Sequence, residues 1–394
     1  MIAPSRLPRM LFLGSFPPRE CGIATFTRDV VASIDERFGT KSEIIAIDEP
    51  GETRTYPPEV IARLLMEDKS SYEDIAAIVN AHPAEILNIQ HEYGLFGGED
   101  GADILTLLDG VSKPVVVSLH TVLPKPTEGH RRVTHAICEK ATAVVVLSET
   151  GRSILVETYD VDPAKIRVIH HGVPDVPFRA TDGPKASFGV GDRMVISTFG
   201  LISRGKGLEY AIEAMRSIVE RHPEALYLIL GETHPNIRRS EGESYRHELE
   251  TLVSSLKLEN NVKLVNRYLE FDELIEYLAA TDIYLTPYLN PVQIVSGTLA
   301  YAVGCGKAIV STPYLYAKEV LAHHRGFLAD FRDAASIARV ITALLDDPDL
   351  RRSTERRAYR FGRQMTWPQV AAGYGALFAE LVPMHDDSSL AHSA

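Results

Sequence analysis

Apolar residues along this chain come either in short unbroken runs of strand length or in longer stretches where they return with helical period. In the first half the strand-like runs are Met10–Ser15, Glu43–Asp48, Ile86–Gln90, Pro114–His120, Ala143–Ser148 and Ile166–His170. Their near-continuous apolarity predicts strands covered on both faces, hence a parallel sheet flanked by helices. The second half restarts the pattern with Met194–Gly200, Leu226–Gly231, Val262–Asn266, Ile283–Pro287, Ala308–Ser311 and Gly326–Ala329. Between the halves, GVPDVPFRATDGPKASFG is rich in Pro, Gly and Asp and lacks periodicity, which predicts a linker at about residues 174–190. Two doubly wound α/β domains are expected. Near the carboxyl end, Thr366-Trp367-Pro368 opens a helix with a one-face stripe of Trp367, Val370, Tyr374, Leu377 and Leu381. Periodicity alone leaves open whether that helix packs on its own domain or crosses back to the first. The tail HDDSSLAHSA reads as disordered.

Composition agrees with two cores of ordinary domain size: the chain has 394 residues, 45% of them hydrophobic. No apolar run reaches the roughly 18 residues of a membrane span, and the amino terminus moves straight into a predicted strand without a small-residue cleavage site. The expected compartment is the cytoplasm. Cys21, Cys138 and Cys305 are widely spaced with no CxxC pair, which disfavours a disulfide framework or a thiolate zinc site, and all three read as buried small residues. A net charge of −12 disfavours nonspecific nucleic-acid binding but is compatible with a local basic cleft for a phosphate ligand.

Candidate chemistry gathers at predicted strand ends. Val295-Ser296-Gly297-Thr298 lies where a helix starts inside a strand, turn, helix, strand unit, so free N–H groups and the helix's positive end converge on any anion there. The loop Gly200-Leu201-Ile202-Ser203-Arg204-Gly205-Lys206-Gly207 adds two cations, and one anion site with two walls is the economical reading. Lys206 opens a helix whose apolar face is Leu208, Ala211, Ile212, Met215 and Val219; a cation is unfavourable there unless it meets a polyanion, the competing reading being a solvated lysine. Arg204 either shares that role or faces solvent. In the first half, the loop from Gly14 through Arg19 and Cys21 to Gly22 is a second anion-ready helix start or a plain turn. His120 ends one strand, and His91 and Glu92 end the preceding one, at the edge where open α/β sheets bind ligands; a structural histidine is the alternative. With no HExxH or third ligand in register, no metal is expected.

Taken in order, these residues resemble the retaining glycosyltransferases of family 4, which have the GT-B fold of two facing Rossmann-like domains. The resemblance spans nearly the whole chain. It rests on the glycine loop ending in Cys21-Gly22, His120 after its apolar strand, Leu147-Ser148-Glu149, Val168-Ile169-His170-His171-Gly172-Val173, the Gly200 to Gly207 loop, the Ser296–Ile309 unit and the Trp367-led helix. It implies an acceptor-side domain over residues 1–177, completed by a crossover helix at 366–384, and a donor domain over 186–365. It further implies transfer of a hexose, mannose or glucose, from a nucleotide diphosphate sugar, GDP-mannose or UDP-glucose, with retention and without a metal or cofactor. Catalysis would fall to His120, Gly22 and Lys206. Donor contacts would come from Arg204, Lys206, Gln293, Ser296, Gly297, Thr298 and Tyr301, and acceptor-side contacts from Arg19, Cys21, His91 and Glu92.

The chain departs from the family pattern at three points. Two family glutamates eight positions apart are Gln293 and Tyr301 here, and a family arginine before the lysine is Leu201, with Arg204 as a candidate substitute one turn away. Those changes keep two rival readings in view, a phosphorylase or epimerase on the same scaffold and a catalytically silent nucleotide-sugar binder. The only candidate membrane-facing stretch, Glu128-Gly129-His130-Arg131-Arg132, holds two adjacent arginines in an acidic setting, so a soluble sugar, glycoside or polyol acceptor is expected. An NAD-dependent dehydrogenase is disfavoured, since no GxGxxG follows any strand.

Overall fold

The computed structural model describes residues 7–382, in two compact units: unit 1 is the chain up to Gly172 together with the segment from Trp367, and unit 2 is Val173–Thr366. Unit 1 is built on seven strands, β1 (Met10–Gly14), β2 (Glu43–Asp48), β3 (Val60–Leu65), β4 (Ile86–His91), β5 (Val115–Leu119), β6 (Ala143–Val146) and β7 (Ile166–Val168). They form one parallel sheet in the order β3-β2-β1-β4-β5-β6-β7. Every residue of β1, β4, β5 and β6 is buried, as their unbroken apolar runs require. The helices between them are α1 (Gly22–Phe38), α2 (Lys69–Ala81), α3 (Ile104–Gly110), α4 (Glu128–Lys140) and α5 (Glu149–Tyr159). Polar residues set their starts: Thr127 Oγ1 accepts from His130 N at 3.2 Å to begin α4, and Ser148 Oγ accepts from Gly151 N at 3.1 Å to begin α5.

Strand β3 has no counterpart among the strands read from the sequence. It is an edge strand, VIARLL, in which only Leu64 is fully buried while Ile61 and Leu65 face solvent. The sheet covers it on one side only, so its sequence lacks the unbroken apolar signature of the central strands.

Unit 2 repeats the plan with six strands, β8 (Met194–Phe199), β9 (Ala225–Leu230), β10 (Val262–Val265), β11 (Ile283–Thr286), β12 (Ala308–Ser311) and β13 (Phe327–Leu328), parallel in the order β10-β9-β8-β11-β12-β13. Its helices are α6 (Asp182–Ser187), α7 (Leu208–Arg221), α8 (Pro235–Glu241), α9 (Ser244–Ser255), α10 (Phe271–Ala280), α11 (Gly297–Gly304), α12 (Leu315–Val320), α13 (Ala334–Asp346) and α14 (Pro348–Gly362). Leu208, Ala211, Ile212, Met215 and Ile218 of α7 pack with Tyr227, Ile229, Leu285 and Ile341. Ile218 is fully buried on that face where the sequence pointed to Val219, which is half-buried. The expected linker at 174–190 is corrected in its second half: α6 belongs to unit 2, tied down by an ion pair of 2.6 Å between Lys185 and Asp282, both buried. Each charge offsets the desolvation of the other, and Phe188 stacks on Tyr277 at 4.1 Å.

After α14 the chain returns to unit 1 as α15 (Trp367–Leu381), which packs along α1. Val370, Ala371, Tyr374, Leu377 and Phe378 are buried, and Phe378 meets Phe12 of β1 edge-on at 6.4 Å. The crossover implied by the resemblance is therefore the arrangement found, with Phe378 in the stripe where Leu381 was expected and Leu381 half-buried. The HDDSSLAHSA tail lies outside the described residues. Cys138 and Cys305 are buried, whereas Cys21 is only partly so, because it forms the first cap of α1.

Candidate active site

In each sheet the strand order reverses direction once, between β1 and β4 in unit 1 and between β8 and β11 in unit 2. Loops leave the carboxyl ends of such a strand pair in opposite directions and open a crevice there. Cys21, Gly22, His91 and Glu92 follow β1 and β4, Lys206 and Ser296 follow β8 and β11, and His120 follows β5, the strand next to β4.

In unit 2 the loops after β8, β9 and β11 are drawn together by glycine. Gly207 has φ +62, and a Cβ there would lie 2.3 Å from the carbonyl oxygen of Pro287; Leu289 N donates to Gly205 O at 2.9 Å across the same seam. Gly231, with φ +130, would bring a Cβ to 2.3 Å from Gly200 O. Only a residue without a side chain permits either approach. The seam delivers Lys206 to the start of α11. Its Nζ sits 3.9 Å above the Tyr288 ring, the Tyr288 hydroxyl bonds Thr298 Oγ1 at 2.7 Å, and Thr298 Oγ1 lies 3.2 Å from Ser296 Oγ. Ser296 caps α11 by accepting from Leu299 N at 3.3 Å, and the N–H groups of Gly297 and Thr298 make no hydrogen bond among the described residues. Lys206 has no carboxylate partner among them either. An ammonium group without a counter-ion beside two free N–H groups at a helix's positive end is a site for an anion. His234, opening α8, lies close enough that Lys206 and Arg239 add to burial in holding its imidazole below the usual range.

Other expected donor residues are differently engaged. Arg204 is turned to α9: its guanidinium donates to both oxygens of Glu248, at 2.6 and 2.7 Å, and lies over the Tyr245 ring at 5.0 Å, largely exposed. Both terminal nitrogens of its fork are engaged by Glu248, so in this structure the side chain is paired with α9. Gln293 donates through Nε2 to Val295 O at 2.9 Å, which shapes the turn before α11. Tyr301 is 9% exposed and packs with Phe199 and Phe271.

In unit 1, Cys21 Sγ accepts from Ala24 N at 3.3 Å and lies 3.2 Å from Ser15 Oγ, starting α1 immediately after the β1 loop. A Cβ on Gly22 would meet no atom within 4 Å. Arg19 is drawn aside to Glu49 at 2.6 Å and to Ile47 O at 3.2 Å. His120 Nε2 is 2.9 Å from Gln90 Oε1, and Phe26 of α1 meets its ring edge-on at 4.8 Å and that of His171 at 5.1 Å. Burial, helped by His171 and His91, lowers the His120 pKa to about 3, so the ring is neutral. Glu92 accepts from Thr121 Oγ1 at 2.6 Å and from Tyr93 N at 3.0 Å, and burial raises its pKa. His91 is corrected from an acceptor-side residue to a sealed one: it is 1% exposed, stacks on Phe96 at 5.3 Å, and neither ring nitrogen has a hydrogen-bond partner among the described residues. Phe26, Gln90, Thr121 and Tyr288 were not singled out in the sequence. Gln90, one residue before the flagged His91, carried the most readable signal, an amide inside an otherwise apolar strand. Among the described residues no group of three or more His, Cys, Asp or Glu is placed to share a metal ion, and no helix is long and apolar enough to cross a membrane.

Comparison with known proteins is consistent along the chain. Residues 39–175 match the model of Glycosyltransferase Family 4 and residues 184–361 that of Glycosyl transferases group 1. A D-inositol 3-phosphate glycosyltransferase of Corynebacterium efficiens is 24% identical over 280 residues, 68% of this chain and 63% of that protein. A GDP-mannose-dependent monoacylated alpha-(1-6)-phosphatidylinositol monomannoside mannosyltransferase of Corynebacterium glutamicum is 26% identical over 167 residues, 41% of this chain and 40% of that protein. The chain thus spans less than two thirds of the length of these curated relatives. Among solved structures, Anabaena HepE in complex with UDP superposes with TM-score 0.76 at 16% identity, covering 95% of this chain and all of that one. Sucrose-phosphate synthase from Thermosynechococcus elongatus gives 0.76 at 18% identity over 95% and 99%. Two Rossmann-like units, a helix returning to the first and family matches in both halves lead to one conclusion: the chain belongs to the group 1, family 4 glycosyltransferases and has their GT-B fold.

Proposed function

We propose that the protein is a hexosyltransferase that moves mannose or glucose from a nucleotide diphosphate sugar, GDP-mannose or UDP-glucose, to a hydroxyl of a soluble sugar, glycoside or polyol, with retention at the anomeric carbon. The observation that carries the reading is Lys206, an ammonium group with no carboxylate partner among the described residues, held by Tyr288 beside the N–H groups of Gly297 and Thr298, which make no hydrogen bond among those residues. In this reading the diphosphate binds there. As the bond from the anomeric carbon to the diphosphate oxygen breaks, Lys206 and the start of α11 stabilise the charge that develops on the leaving group. The acceptor oxygen bonds to the same face of the sugar, and its proton passes to the departing diphosphate, so neither a nucleophilic carboxylate nor a metal is needed. On unit 1, Gly22 leaves room above the start of α1 and the neutral His120 accepts from a sugar hydroxyl. Glu92, Cys21 and Arg19 shape the acceptor side, the last through Glu49. The names of the GDP-mannose-dependent relative and of the UDP-bound structure support a nucleotide-sugar donor.

The test is a thermal-shift panel with GDP, UDP, ADP and TDP, each with and without phosphate. A ligand at a hundred times its dissociation constant adds about 2.7 kcal/mol of stability. One nucleotide should shift the wild type and leave Lys206→Ala unmoved, after which incubation with the matching sugar nucleotide and NMR of the product's anomeric coupling reads the stereochemistry. No shift with any nucleotide would overturn the reading and favour a silent scaffold, and a response that requires phosphate would favour a phosphorylase.

A further inference from the structure

A chain of buried hydrogen bonds runs behind His120. Gln90 Oε1 faces His120 Nε2 at 2.9 Å, Gln90 Nε2 donates to Asn88 Oδ1 at 2.6 Å, and Asn88 Nδ2 lies 3.4 Å from Ser118 Oγ. Ser118 Oγ meets the Tyr374 hydroxyl of α15 at 2.9 Å. Asn88, Gln90, Ser118 and Tyr374 are all fully buried. The chain therefore starts on the helix that returns from the far end of the sequence, crosses β5 and β4 and ends on the ring at the ligand edge of the first sheet. Gly14 fixes the amide's place from the other side, since even a Cβ there would stand 3.0 Å from that of Gln90.

Direction is built into this chain. An amide carbonyl only accepts, so with Gln90 Nε2 spent on Asn88, the oxygen facing His120 requires a proton on Nε2. In a neutral imidazole the other nitrogen, Nδ1, is then an unprotonated acceptor, and it makes no hydrogen bond among the described residues. Phe26 meets the ring edge-on and is itself backed by His171, which holds the plane of the ring. We propose that Gln90 is a positioning residue that fixes His120 as the Nε2–H tautomer, leaving Nδ1 able only to accept a hydroxyl proton of the bound sugar. The inference rests on the reading of His120 as a substrate contact.

Histidine tautomers are read directly by two-bond 1H–15N NMR of the whole protein labelled at histidine, with His120→Ala assigning the signal. The wild type should show Nε2 protonated and Nδ1 bare from about pH 5 to 8. In Gln90→Glu, a carboxylate faces the Nε2–H and favours the imidazolium, so His120 should gain a proton in that range. The groups that bear on the ring besides this one are His171 and His91, both of which oppose the charge, while Glu92 is engaged with Thr121. The imidazolium carries a proton on Nδ1 and cannot accept, so release of nucleotide from UDP-glucose or GDP-mannose, whichever the wild type turns over, should fall as pH is lowered in Gln90→Glu and stay flat in the wild type. Gln90→Met, whose thioether is only a weak acceptor, should populate both tautomers and lose about tenfold in turnover. Tyr374→Phe, at the far end of the chain, is the milder variant where the others fail to fold, and should weaken the tautomer preference without abolishing it. A wild-type ring protonated on Nδ1, or a Gln90→Glu pH profile identical to wild type while His120→Ala is inactive, would overturn the inference alone. An active His120→Ala would overturn the substrate-contact reading and this inference with it.

Discussion

Gly22 separates a glycine kept for the fold from one kept for something outside it. Its φ is not positive, and a Cβ there would meet nothing within 4 Å, so the protein's own packing makes no demand for glycine at the first position of α1. Alanine at that position should leave stability unchanged or raise it by about 0.4–1 kcal/mol, through the lower entropy of the unfolded chain and the better helix propensity. If the empty space is where substrate sits, Gly22→Ala should nonetheless lower kcat/KM by about tenfold or more, the cost of a misplacement at the reacting centre. A melting curve beside a kinetic assay separates the two, and an alanine variant with unaltered kinetics would remove Gly22 from the catalytic edge. Arg204 carries the complementary lesson. Its proximity to Lys206 in sequence suggested a shared phosphate, but at the start of the short turn Arg204–Lys206, five residues beyond β8, its side chain is captured by Glu248 and Tyr245 on α9. Sequence distance places a residue in a loop; which way the loop turns its side chain depends on an element more than forty positions further on.

At the scale of elements, the donor-side loops are only as good as the seam that joins them. Gly207 ends a short turn, takes the left-handed conformation and starts α7 while its Cα lies against Pro287 O at the end of β11. Gly207→Ala meets both a strained φ and a 2.3 Å contact with backbone, which cannot rotate away. The expected result is a loss of about 1–3 kcal/mol in stability together with a weakened nucleotide shift, since Lys206 leaves its place over Tyr288 when the loop moves. A thermal shift preserved at wild-type size in that variant would show that the seam and the anion site are independent. The same scale explains what could be read in advance. Central strands and the helices between them were legible because covering on both sheet faces forces unbroken apolar runs, and the carboxyl-end loops with Gly22, His120, Lys206 and Ser296 followed from where those strands stop. Strand β3 was not legible, since an edge strand with Ile61 and Leu65 in solvent is under no such constraint. Neither was α6, whose Pro and Gly read as linker although Lys185 finds a buried partner almost a hundred residues later in Asp282. The polar chain from Tyr374 to His120 escaped for the same reason: each link looked like an isolated polar residue in an apolar element until the topology set β4, β5 and α15 side by side.

On the scale of the whole molecule, unit 2 behaves as an insertion into unit 1. Its two ends are clasped to each other, Val173 N donating to Met365 O at 2.9 Å and Val173 pairing with Thr366 as an isolated bridge. On unit 1, Gly172 lies directly against the Trp367 ring, where a Cβ would approach to 2.2 Å. The chain therefore leaves and re-enters unit 1 at neighbouring points, which is the condition under which an inserted domain can fold without distorting its host. Unit 1 pays for the arrangement in chain order. The cover of β1 and α1 comes from Tyr374 and from Val370, Leu377 and Phe378, these last each worth about 1.5–3 kcal/mol when buried, and all four lie beyond the whole of unit 2 in the sequence. Residues 173–366 alone should unfold cooperatively in urea. Residues 7–172 alone should expose the apolar surface that α15 covers and bind a hydrophobic dye, whereas joining Gly172 to Trp367 through a short glycine-serine linker should restore a cooperative transition and abolish dye binding. A 7–172 fragment that unfolds cooperatively without binding dye would mean that α15 contributes little, and with it the structural anchor of Tyr374 behind His120 would lose its force.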